Sequence, residues 1–383
     1  MLIRPIEHKD LTALQYMASN AGVGFTSLPA NVELLKSKIA SAAAAFTSAD
    51  GNQDNQSYLF VLEDSHTQQI AGVCGIESAL GLDSPWYNYR LGTLVHASPS
   101  LNVYGKSQTL SLSNDHTGCS ELCTLFLMPE YRHSKNGSLL SKCRFMFMAN
   151  FPQRFNSRVI AEMRGVSDND GDSPFWNGLG AHFFSMPFSK ADYLSGLGNK
   201  SFIAELMPKL PIYIDLLNKE VQEVIGKVHD NTLPALTMLE NEGFQNLGYI
   251  DIFDGGPTIE ANVRHIRAIN DSRIVKVEIE HVPATSEAVS PPASQADNTS
   301  LCLVSNLELQ GYRCTLAHIH LTQQQSVVLD QHTADALQVT SGDSIRVVAL
   351  SSRPLSAQSL NTQSLSTQAT TSTLQQSAWV WQI

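Results

Sequence analysis

The chain has 383 residues, of which 43% are hydrophobic and 16% charged, and its formal net charge is −11; these values predict a globular protein with one large or two smaller domains. No run approaches the ~20 apolar residues of a membrane-spanning helix, and no Lys/Arg-rich segment is present that would follow a phosphate backbone. We therefore expect neither a membrane nor a nucleic acid as a partner.

The first residues lack the basic segment and apolar core of a secretory signal, which predicts a cytoplasmic protein with reduced thiols. Of the six cysteines, only Cys119 and Cys123 lie close together in sequence, with His116 nearby. No second Cys/His pair follows at a zinc-finger spacing. The cysteines are therefore interpreted as buried thiols, and no metal site is expected.

Hydrophobic periodicity predicts alternating strands and helices through the first 282 residues. Asp10 is expected to cap a first helix, and a second helix is expected from about Asn31 to Phe46. Further helices are predicted from Leu139 to Phe151 and from Asn231 to Glu242. Strands are predicted at LIRPI, YLFVLED, IAGVCGIES, ELCTLFLMP, VIAEMRG and GYIDIFD, with several short strands between Trp86 and Ser111, whereas SFIAELM is compatible with a strand or a helix.

The organisation along the chain follows from its composition. Residues 1–282 predict a mixed α/β (α+β) domain with a mixed central sheet flanked by helices. Residues 283–300 are rich in Pro, Ser and Ala and predict a linker. Residues 351–383 are dominated by Ser, Thr and Gln and predict a low-complexity tail without a core. Between them, residues 301–350 predict a small all-β appendage with strands at LCLVSNL, VVLD, ALQV and SIRVVAL.

The segment MPEYRHSKNGSLLSK joins a predicted strand to a predicted helix. Free backbone N–H groups at the start of a helix can bind a pyrophosphate, although an ordinary strand-to-helix turn would look the same. The segment resembles the acyl-CoA pyrophosphate loop of GCN5-related N-acetyltransferases, R/Q-x-x-G-x-G/A. Arg132, Lys135 and Gly137 align with it, and Lys135 replaces the first glycine. The resemblance implies that these three residues bind an acyl-CoA.

A second segment, TLPALTMLENEGF, resembles the closing helix of the same superfamily, N-x-x-A-x-x-L-Y-E-x-x-G-F. The superfamily often has a tyrosine in this helix that protonates the departing thiolate. Leu239 stands at that position and cannot donate a proton. The nearest titratable candidate in sequence is His229, just before the helix, although a single histidine is more often structural than catalytic.

From Met1 to about Arg273 the chain is similar to the arginine N-succinyltransferase family, whose enzymes act in arginine catabolism on a GCN5-related acyltransferase-like fold. The resemblance implies transfer of succinyl from succinyl-CoA as co-substrate, without a permanently bound cofactor, to the α-amine of L-arginine. It implies His229 as proton donor, Leu125 as a succinyl-CoA contact, and a homo-oligomer or a hetero-oligomer with a related subunit. The blocks that carry it are GFTSLPAN, YRHSKNGSLLSK, RFMFMANFPQRF, VIAEMRGVSDNDGDSPFW, FIAELMPKLPIY, VHDNTLPALTMLENEGF and GYIDIFDGGP.

This chemistry needs no covalent enzyme intermediate, and Cys123 has no base beside it in sequence, so direct attack by the amine is expected. Carboxylates are required for a guanidinium and a cation for the succinyl carboxylate. The sequence offers Asp168, Asp170 and Asp172 for the first, although such a loop is also compatible with a solvated turn or a weak cation site. For the second it offers Arg90 or Arg164.

Two alternatives remain open from the sequence. The acceptor could be ornithine or another basic amino acid, because residues alone do not distinguish amines that differ at the side-chain end. The missing tyrosine and the altered first glycine are also compatible with a non-catalytic acyl-CoA-binding module. Turnover with defined acceptors separates these hypotheses.

Overall fold

The structure is a computed structural model that describes residues 1–21, 27–49, 55–168, 171–198, 200–279, 299–319 and 326–351. The predicted tail after Ser351 lies outside the described residues, as does the predicted linker up to residue 298. Asp170 of the Asp-rich loop also lies outside them.

Strands and helices alternate through most of the chain. The helices are α1 (Leu11–Asn20), α2 (Val32–Thr47), α3 (Asn136–Asn150), α4 (Ala181–Phe184), α5 (Phe188–Gly196), α6 (Ser201–Leu206), α7 (Lys219–Val224), α8 (Leu233–Glu240), α9 (Arg267–Asn270) and α10 (Gln331–Leu337). The strands are β1 (Leu2–Pro5), β2 (Ser57–Glu63), β3 (Ile70–Glu77), β4 (Asn88–Ser98), β5 (Val103–Ser113), β6 (Ser120–Leu127), β7 (Arg158–Glu162), β8 (Ile212–Tyr213), β9 (Gln245–Ile250), β10 (Pro257–Asn262), β11 (Arg273–Ile279), β12 (Ser300–Ser305), β13 (Cys314–Ile319), β14 (Ser326–Leu329) and β15 (Ser344–Ala349).

The strands join in one mixed sheet with the order β14-β11-β15-β12-β13-β1-β2-β3-β6-β7-β10-β9-β4-β5-β8. Neighbours are antiparallel except for β6 with β7 and β11 with β14, which are parallel. Helix α3 packs over β3 and β6, and its apolar side chains enter the largest hydrophobic core. The predicted mixed central sheet flanked by helices is therefore confirmed, as are the C-terminal strands.

Between Trp86 and Ser111 the prediction of several short strands is wrong. β4 and β5 form one long hairpin, with Asn88 opposite Ser113 and Ser98 opposite Val103. Much of the hairpin is exposed on both faces, so its sequence carries no clear polar/apolar alternation. The turn is closed by Asn102, whose φ of 49° is a left-handed conformation that asparagine tolerates.

Several other element assignments are settled by the structure. SFIAELM, which was compatible with either element, contributes helix α6. GYIDIFD is strand only as far as Ile250, and a turn follows because the Asp251 side chain accepts the N–H groups of Phe253 and Asp254. Asp10 does not cap α1 through its side chain, since its carboxylate binds the Arg4 guanidinium at 2.7 and 2.9 Å.

The C-terminal part is mainly β but contains one helix, α10. The predicted strand ALQV is wrong, because Ala336 and Leu337 end this helix and Gln338 adopts a left-handed conformation after it. Asp330 caps the helix by accepting the Thr333 N–H at 2.7 Å. β11, which lies before the predicted boundary at residue 282, pairs with β14 and β15. The division into 1–282 and 301–350 stays a prediction.

The C-terminal strands join the sheet at β1 and contact helix α3. β13 pairs with β1, and the Tyr312 hydroxyl donates to the Cys143 carbonyl at 2.9 Å. The Lys142 ammonium donates to the Leu350 carbonyl at 3.0 Å. These contacts fix one side of α3. The N-terminal end of the helix lies near Leu127, at the end of strand β6.

Candidate active site

β6 and β7 separate along their length and leave a cleft between them. They pair only at Ser120 with Val159 and at Glu121 with Ile160. Beyond these pairs β6 continues to Leu127, where its ladder is with β3 alone. Main-chain N–H groups on the β7 side of this stretch therefore have no strand to bind, and an extended ligand such as pantetheine can take that position.

β6 carries a bulge at the middle of this cleft. The register with β3 shifts between Val73, opposite Phe126, and Gly75, opposite Cys123. Thr124 and the predicted contact residue Leu125 lie in the interval, and Thr124 has a φ of 55°. A bulge turns main-chain groups out of the ladder. Leu125 itself is half-buried and packs against the core, so its contact with a ligand would run through its backbone.

The predicted pyrophosphate loop lies directly after β6. Arg132 is exposed, and its Nε donates to the Leu127 carbonyl at 3.1 Å, which holds the loop against the strand end. Lys135 is exposed and occupies the N-cap position of α3 with a φ of 67°. A Cβ at Gly137 would lie 3.8 Å from a Leu127 methyl carbon, so this first turn of α3 is close to the end of β6.

The start of α3 is therefore a possible anion site. Among the described residues, the N–H groups of Gly137 and Ser138 donate to no main-chain carbonyl. The helix dipole favours a negative group there, and Arg132 and Lys135 add positive charge beside it. Lysine in place of the first glycine is sterically accepted, although its left-handed backbone carries strain.

Helix α8 contacts the start of α3. The Ser138 hydroxyl in α3 lies 3.7 Å from the Met238 sulfur in α8. Leu239, at the position where the sequence resemblance predicts a tyrosine, is buried in the main core and cannot donate a proton. The predicted C′ residue Gly243 has a φ of 106° after the end of α8, a conformation that favours glycine.

His229 lies just before α8 and beside the extension of β7. Its N–H donates to the Arg164 carbonyl at 2.9 Å, and Val228 forms a β-bridge with Gly165. The half-buried imidazole accepts the Asn231 N–H at Nδ1, 3.1 Å away. Burial and the Arg164 guanidinium lower the pKa of His229, while the Asp230 carboxylate opposes them. Because Nδ1 is an acceptor, the neutral ring carries its hydrogen on Nε2.

A glycine and aspartate clamp holds the segment opposite His229. The Asp254 carboxylate accepts the N–H groups of Gly165 at 2.6 Å and of Gly256 at 2.8 Å. A Cβ on Gly165 would lie 2.5 Å from the Asp254 carbonyl oxygen, and one on Gly256 would overlap the Met163 carbonyl. Sequence reasoning missed this clamp. The block GYIDIFDGGP contains it, but its partner segment is about ninety residues earlier in the chain.

Arg164 presents a poorly paired guanidinium next to His229. Its Nη2 donates to Ser167 Oγ at 2.9 Å, and its buried Nε has no hydrogen-bond partner among the described residues. Burial lowers its pKa, while the Asp254 and Asp192 carboxylates oppose that shift. Arg90, the other cation considered, is 61% exposed and stands 3.6 Å from Asp115. Of these two arginines, Arg164 is the one close to His229.

The remaining predicted groups lie away from this arrangement or are inert. Asp168 and Asp172 are exposed and bind each other, since the Asp168 carboxylate accepts the Asp172 N–H at 2.8 Å. The six cysteines are free thiols. Burial and the Glu77 and Glu121 carboxylates raise the pKa of Cys123 well above its ordinary value, which disfavours a nucleophilic thiolate.

Comparison with known proteins places this arrangement in a family. Residues 1–268 match the model described as arginine N-succinyltransferase beta subunit, and residues 286–349 match that of its C-terminal domain. The chain belongs to the arginine N-succinyltransferase family. The arginine N-succinyltransferase of Citrobacter koseri is 53% identical over 350 residues, 91% of this chain and 98% of the relative. That of Yersinia pseudotuberculosis serotype O:3 is 51% identical over 352 residues, with the same shares covered.

A solved structure supports the family assignment. The arginine/ornithine succinyltransferase subunit AI from Pseudomonas aeruginosa is similar with a TM-score of 0.80 and 37% identity. The match covers 92% of this chain and 99% of that one. The predicted family and its acyltransferase fold are thus confirmed, and the resemblance reaches beyond Arg273 into the C-terminal strands.

Four of the predicted site residues lie on consecutive elements. Leu125 lies in the bulge of β6, while Arg132, Lys135 and Gly137 lie in the loop after β6 and at the start of α3. The main chain of His229 pairs with Arg164, in the segment that follows β7. Their individual roles stay predictions.

Proposed function

We propose that the protein is an arginine N-succinyltransferase that transfers the succinyl group of succinyl-CoA to the α-amine of L-arginine in arginine catabolism. The observation that carries the proposal is the near-complete coverage of relatives of that name at 51–53% identity. The cleft between β6 and β7, with an anion site at its end, gives the acyl-CoA co-substrate a place to bind. No permanently bound cofactor is required.

In this proposal succinyl-CoA lies along β6. The pyrophosphate binds at the start of α3, to the N–H groups of Gly137 and Ser138 and to the cations of Arg132 and Lys135. The pantetheine and the thioester oxygen bind main-chain groups near Leu125. Binding through the backbone accounts for a leucine as a contact residue. The geometry supports these roles without assigning a hydrogen bond to any one of them.

The reaction is proposed as direct attack of the neutral α-amine on the thioester carbonyl. The new C–N bond forms, the C–S bond breaks, and the proton lost by the nitrogen balances the one that the CoA thiolate gains. Main-chain N–H groups at the bulge hold the developing oxyanion. The raised pKa of Cys123 supports this route over one with an acyl-thiol intermediate.

His229 is proposed to donate a hydrogen bond to the departing thiolate, while the proton that the thiolate finally gains is the one lost by the amine. In the neutral ring held by Asn231, Nε2 carries the hydrogen that can stabilise developing charge on sulfur. Protonation of Nδ1 would break the Asn231 bond, in agreement with the lowered pKa of this histidine.

Arg164 is proposed as the partner of the succinyl carboxylate. It stands next to His229, is half-buried, and has open donor positions including a buried Nε. A guanidinium binds a carboxylate through two parallel hydrogen bonds, and partial desolvation strengthens them. This contact would distinguish succinyl-CoA from acyl-CoAs without a terminal carboxylate.

Three finer features also belong to the proposal. The names of the Yersinia and Citrobacter relatives favour L-arginine over L-ornithine, although the Pseudomonas protein is named for both amino acids. That protein is a subunit by name, which supports an oligomer, either of one chain or with a related second subunit. A cytoplasmic location fits the catabolic role. No helix in the described part of the chain is long and apolar enough to cross a membrane.

The test is the release of CoA thiol from succinyl-CoA with L-arginine, L-ornithine, L-lysine or no acceptor. Turnover that requires succinyl-CoA and is fastest with arginine supports the proposal. Tight binding of CoA without turnover of any acceptor would replace it with a non-catalytic acyl-CoA-binding module. Faster turnover of ornithine would keep the reaction and change the acceptor.

A further inference from the structure

Four buried or half-buried carboxylates meet where β6 and β7 begin to separate. Glu77 in β3 is the register partner of Glu121 in β6, which in turn pairs with Ile160 in β7. Glu162 follows in β7, and Asp251 lies just after β9. Electrostatic interaction joins them, because Asp251 and Glu121 both raise the pKa of Glu162, whose largest shift comes from burial. Four separate strands thus deliver negative charge to one place.

Alternation along the strands places this cluster on the face of the sheet opposite α3. Leu122, the neighbour of Glu121, packs into the main core with residues of α3. Adjacent residues of a strand point to opposite faces, so Glu121 lies on the other face. Trp86 packs there against Ile160. The described residues contain no group of three potential ligands arranged to hold a metal ion. The cluster is therefore not a metal site by geometry.

Glu121 is the member of this cluster without a partner. It is 8% exposed, and the influences on its carboxylate are burial and neighbouring charges, with no hydrogen bond from the described residues among them. The other carboxylates are partly satisfied: Asn88 Nδ2 donates to Glu162 at 2.7 Å, and Ser57 Oγ donates to Glu77 at 2.9 Å. An unpaired buried carboxylate is costly, and burial raises the pKa of Glu121 to about 7.

The positive charge nearby does not neutralise the cluster. Lys200, Lys38 and Arg144 lower the pKa of Glu121 through charge interactions, without a hydrogen bond to it. The Lys200 ammonium also lies over the Trp86 ring, 3.9 Å from its centre. The pKa values of all four carboxylates are nevertheless raised, chiefly by burial, so these cations do not fully stabilise the charged forms. A cationic ligand would stabilise them, and carboxylate acceptors bind a planar guanidinium well.

The position of the cluster fits the length of the acceptor. Glu121 is the last residue of β6 that pairs with β7, and the bulge at Leu125 is four residues further, about 13 Å along an extended strand. An extended arginine with its α-amine at the thioester directs its guanidinium back toward the vertex of the cleft. The side chains of Glu121 and Glu162 cover the rest of the distance.

We propose that Glu121, with Glu162 and the neighbouring carboxylates Glu77 and Asp251, binds the guanidinium of the arginine acceptor. The inference rests on the proposed function and names the residues that bind the side chain of its acceptor. It replaces Asp168 and Asp172 of the sequence-based hypothesis, because both are exposed and the Asp168 carboxylate accepts the Asp172 N–H. Specificity for a basic side chain then resides in the strands of the sheet.

The experiment compares L-arginine with L-citrulline, which has nearly the same shape but no positive charge. Succinyl transfer to both is measured for the wild type, for Glu121→Gln and Glu162→Gln, and for the control Asp172→Asn. A charge-assisted hydrogen bond contributes about 1.5–3 kcal/mol. Each glutamine variant is therefore expected to lower the arginine-to-citrulline ratio of kcat/KM by about tenfold or more, mainly through the KM for arginine. The control keeps the wild-type ratio.

Three outcomes overturn the inference. An unchanged ratio in both glutamine variants places the guanidinium elsewhere, and a changed ratio in Asp172→Asn places it at the loop. An equal loss for arginine and citrulline, in variants whose circular dichroism matches the wild type, assigns the carboxylates to the chemistry or to local structure. Absence of arginine turnover in the wild type itself is a different result, because it removes the proposed function before the acceptor site is tested.

Discussion

The N–H of His229 donates to the carbonyl oxygen of Arg164 across 2.9 Å, and this bond joins the segment before α8 to the extension of β7. The two residues are 65 positions apart in sequence. Their pairing brings the guanidinium close enough to the imidazole to lower its pKa, and both residues are proposed to act on the acyl group and its leaving thiolate.

Replacement of His229 by alanine is expected to lower kcat by about 10²-fold or more, as the loss of a hydrogen-bond donor to developing negative charge usually does. The KM for succinyl-CoA should change little, since the pyrophosphate loop is untouched. CoA thiol release is the measurement, and Lys227→Ala is the matched control at an exposed neighbour. An unchanged kcat in His229→Ala would assign this histidine a structural role.

The dependence of the His229 contribution on pH has a predicted sign. Burial and Arg164 lower its pKa, and the Asn231 N–H requires an unprotonated Nδ1, so the working form is the neutral ring. The ratio of wild-type to His229→Ala turnover is expected to stay constant above about pH 6.5, the ordinary pKa of histidine, and to fall as the pH drops through the lowered pKa. This ratio cancels titration of the amine and of other groups. A ratio that rises toward acidic pH would identify imidazolium as the working form instead.

Arg164→Met is expected to reduce kcat/KM for succinyl-CoA by about ten- to a hundredfold. This is the loss that corresponds to the free energy of hydrogen bonds to a charged group. Turnover of butyryl-CoA, which lacks the terminal carboxylate, should be nearly unaffected. Arg90→Met serves as control, because Arg90 is exposed and pairs with Asp115. Equal losses of kcat/KM with both acyl donors in Arg164→Met would show that this arginine does not bind the succinyl carboxylate.

Glu242→Ala is expected to destabilise the fold by about 3–5 kcal/mol, because it leaves two buried cations without their counter-charge. The Glu242 carboxylate is 1% exposed and binds Lys142 at 2.9 Å, Arg267 at 2.7 Å and the Ala268 N–H at 2.8 Å. Urea unfolding measures the loss. The exposed Glu240→Ala is the control, with an expected change within about 0.5 kcal/mol. A similar small change in Glu242→Ala would contradict the bridging role.

The sequence predicted an element correctly where its structure depends on residues within that element alone. The helix from Val32 to Thr47 follows from its periodicity, and the strand from Ser120 to Leu127 follows from its nearly continuous apolar run. Arg132, Lys135 and Gly137 were predicted from a motif resemblance, which is legible because strand, turn and helix are consecutive. The long hairpin of β4 and β5 was missed because strands exposed on both faces have no apolar period.

The sequence of residues 1–268 was therefore enough to predict the family, the order of most elements and the candidate phosphate loop. Each of these depends on residues that are near one another in the chain. Tertiary structure decided which charges meet. Strand order brings Glu77, Glu121 and Glu162 together at the vertex of the cleft, and pairing of the β7 extension brings Arg164 to His229. No local pattern encodes these contacts, since burial and the energy of each charge depend on neighbours that only the folded sheet supplies.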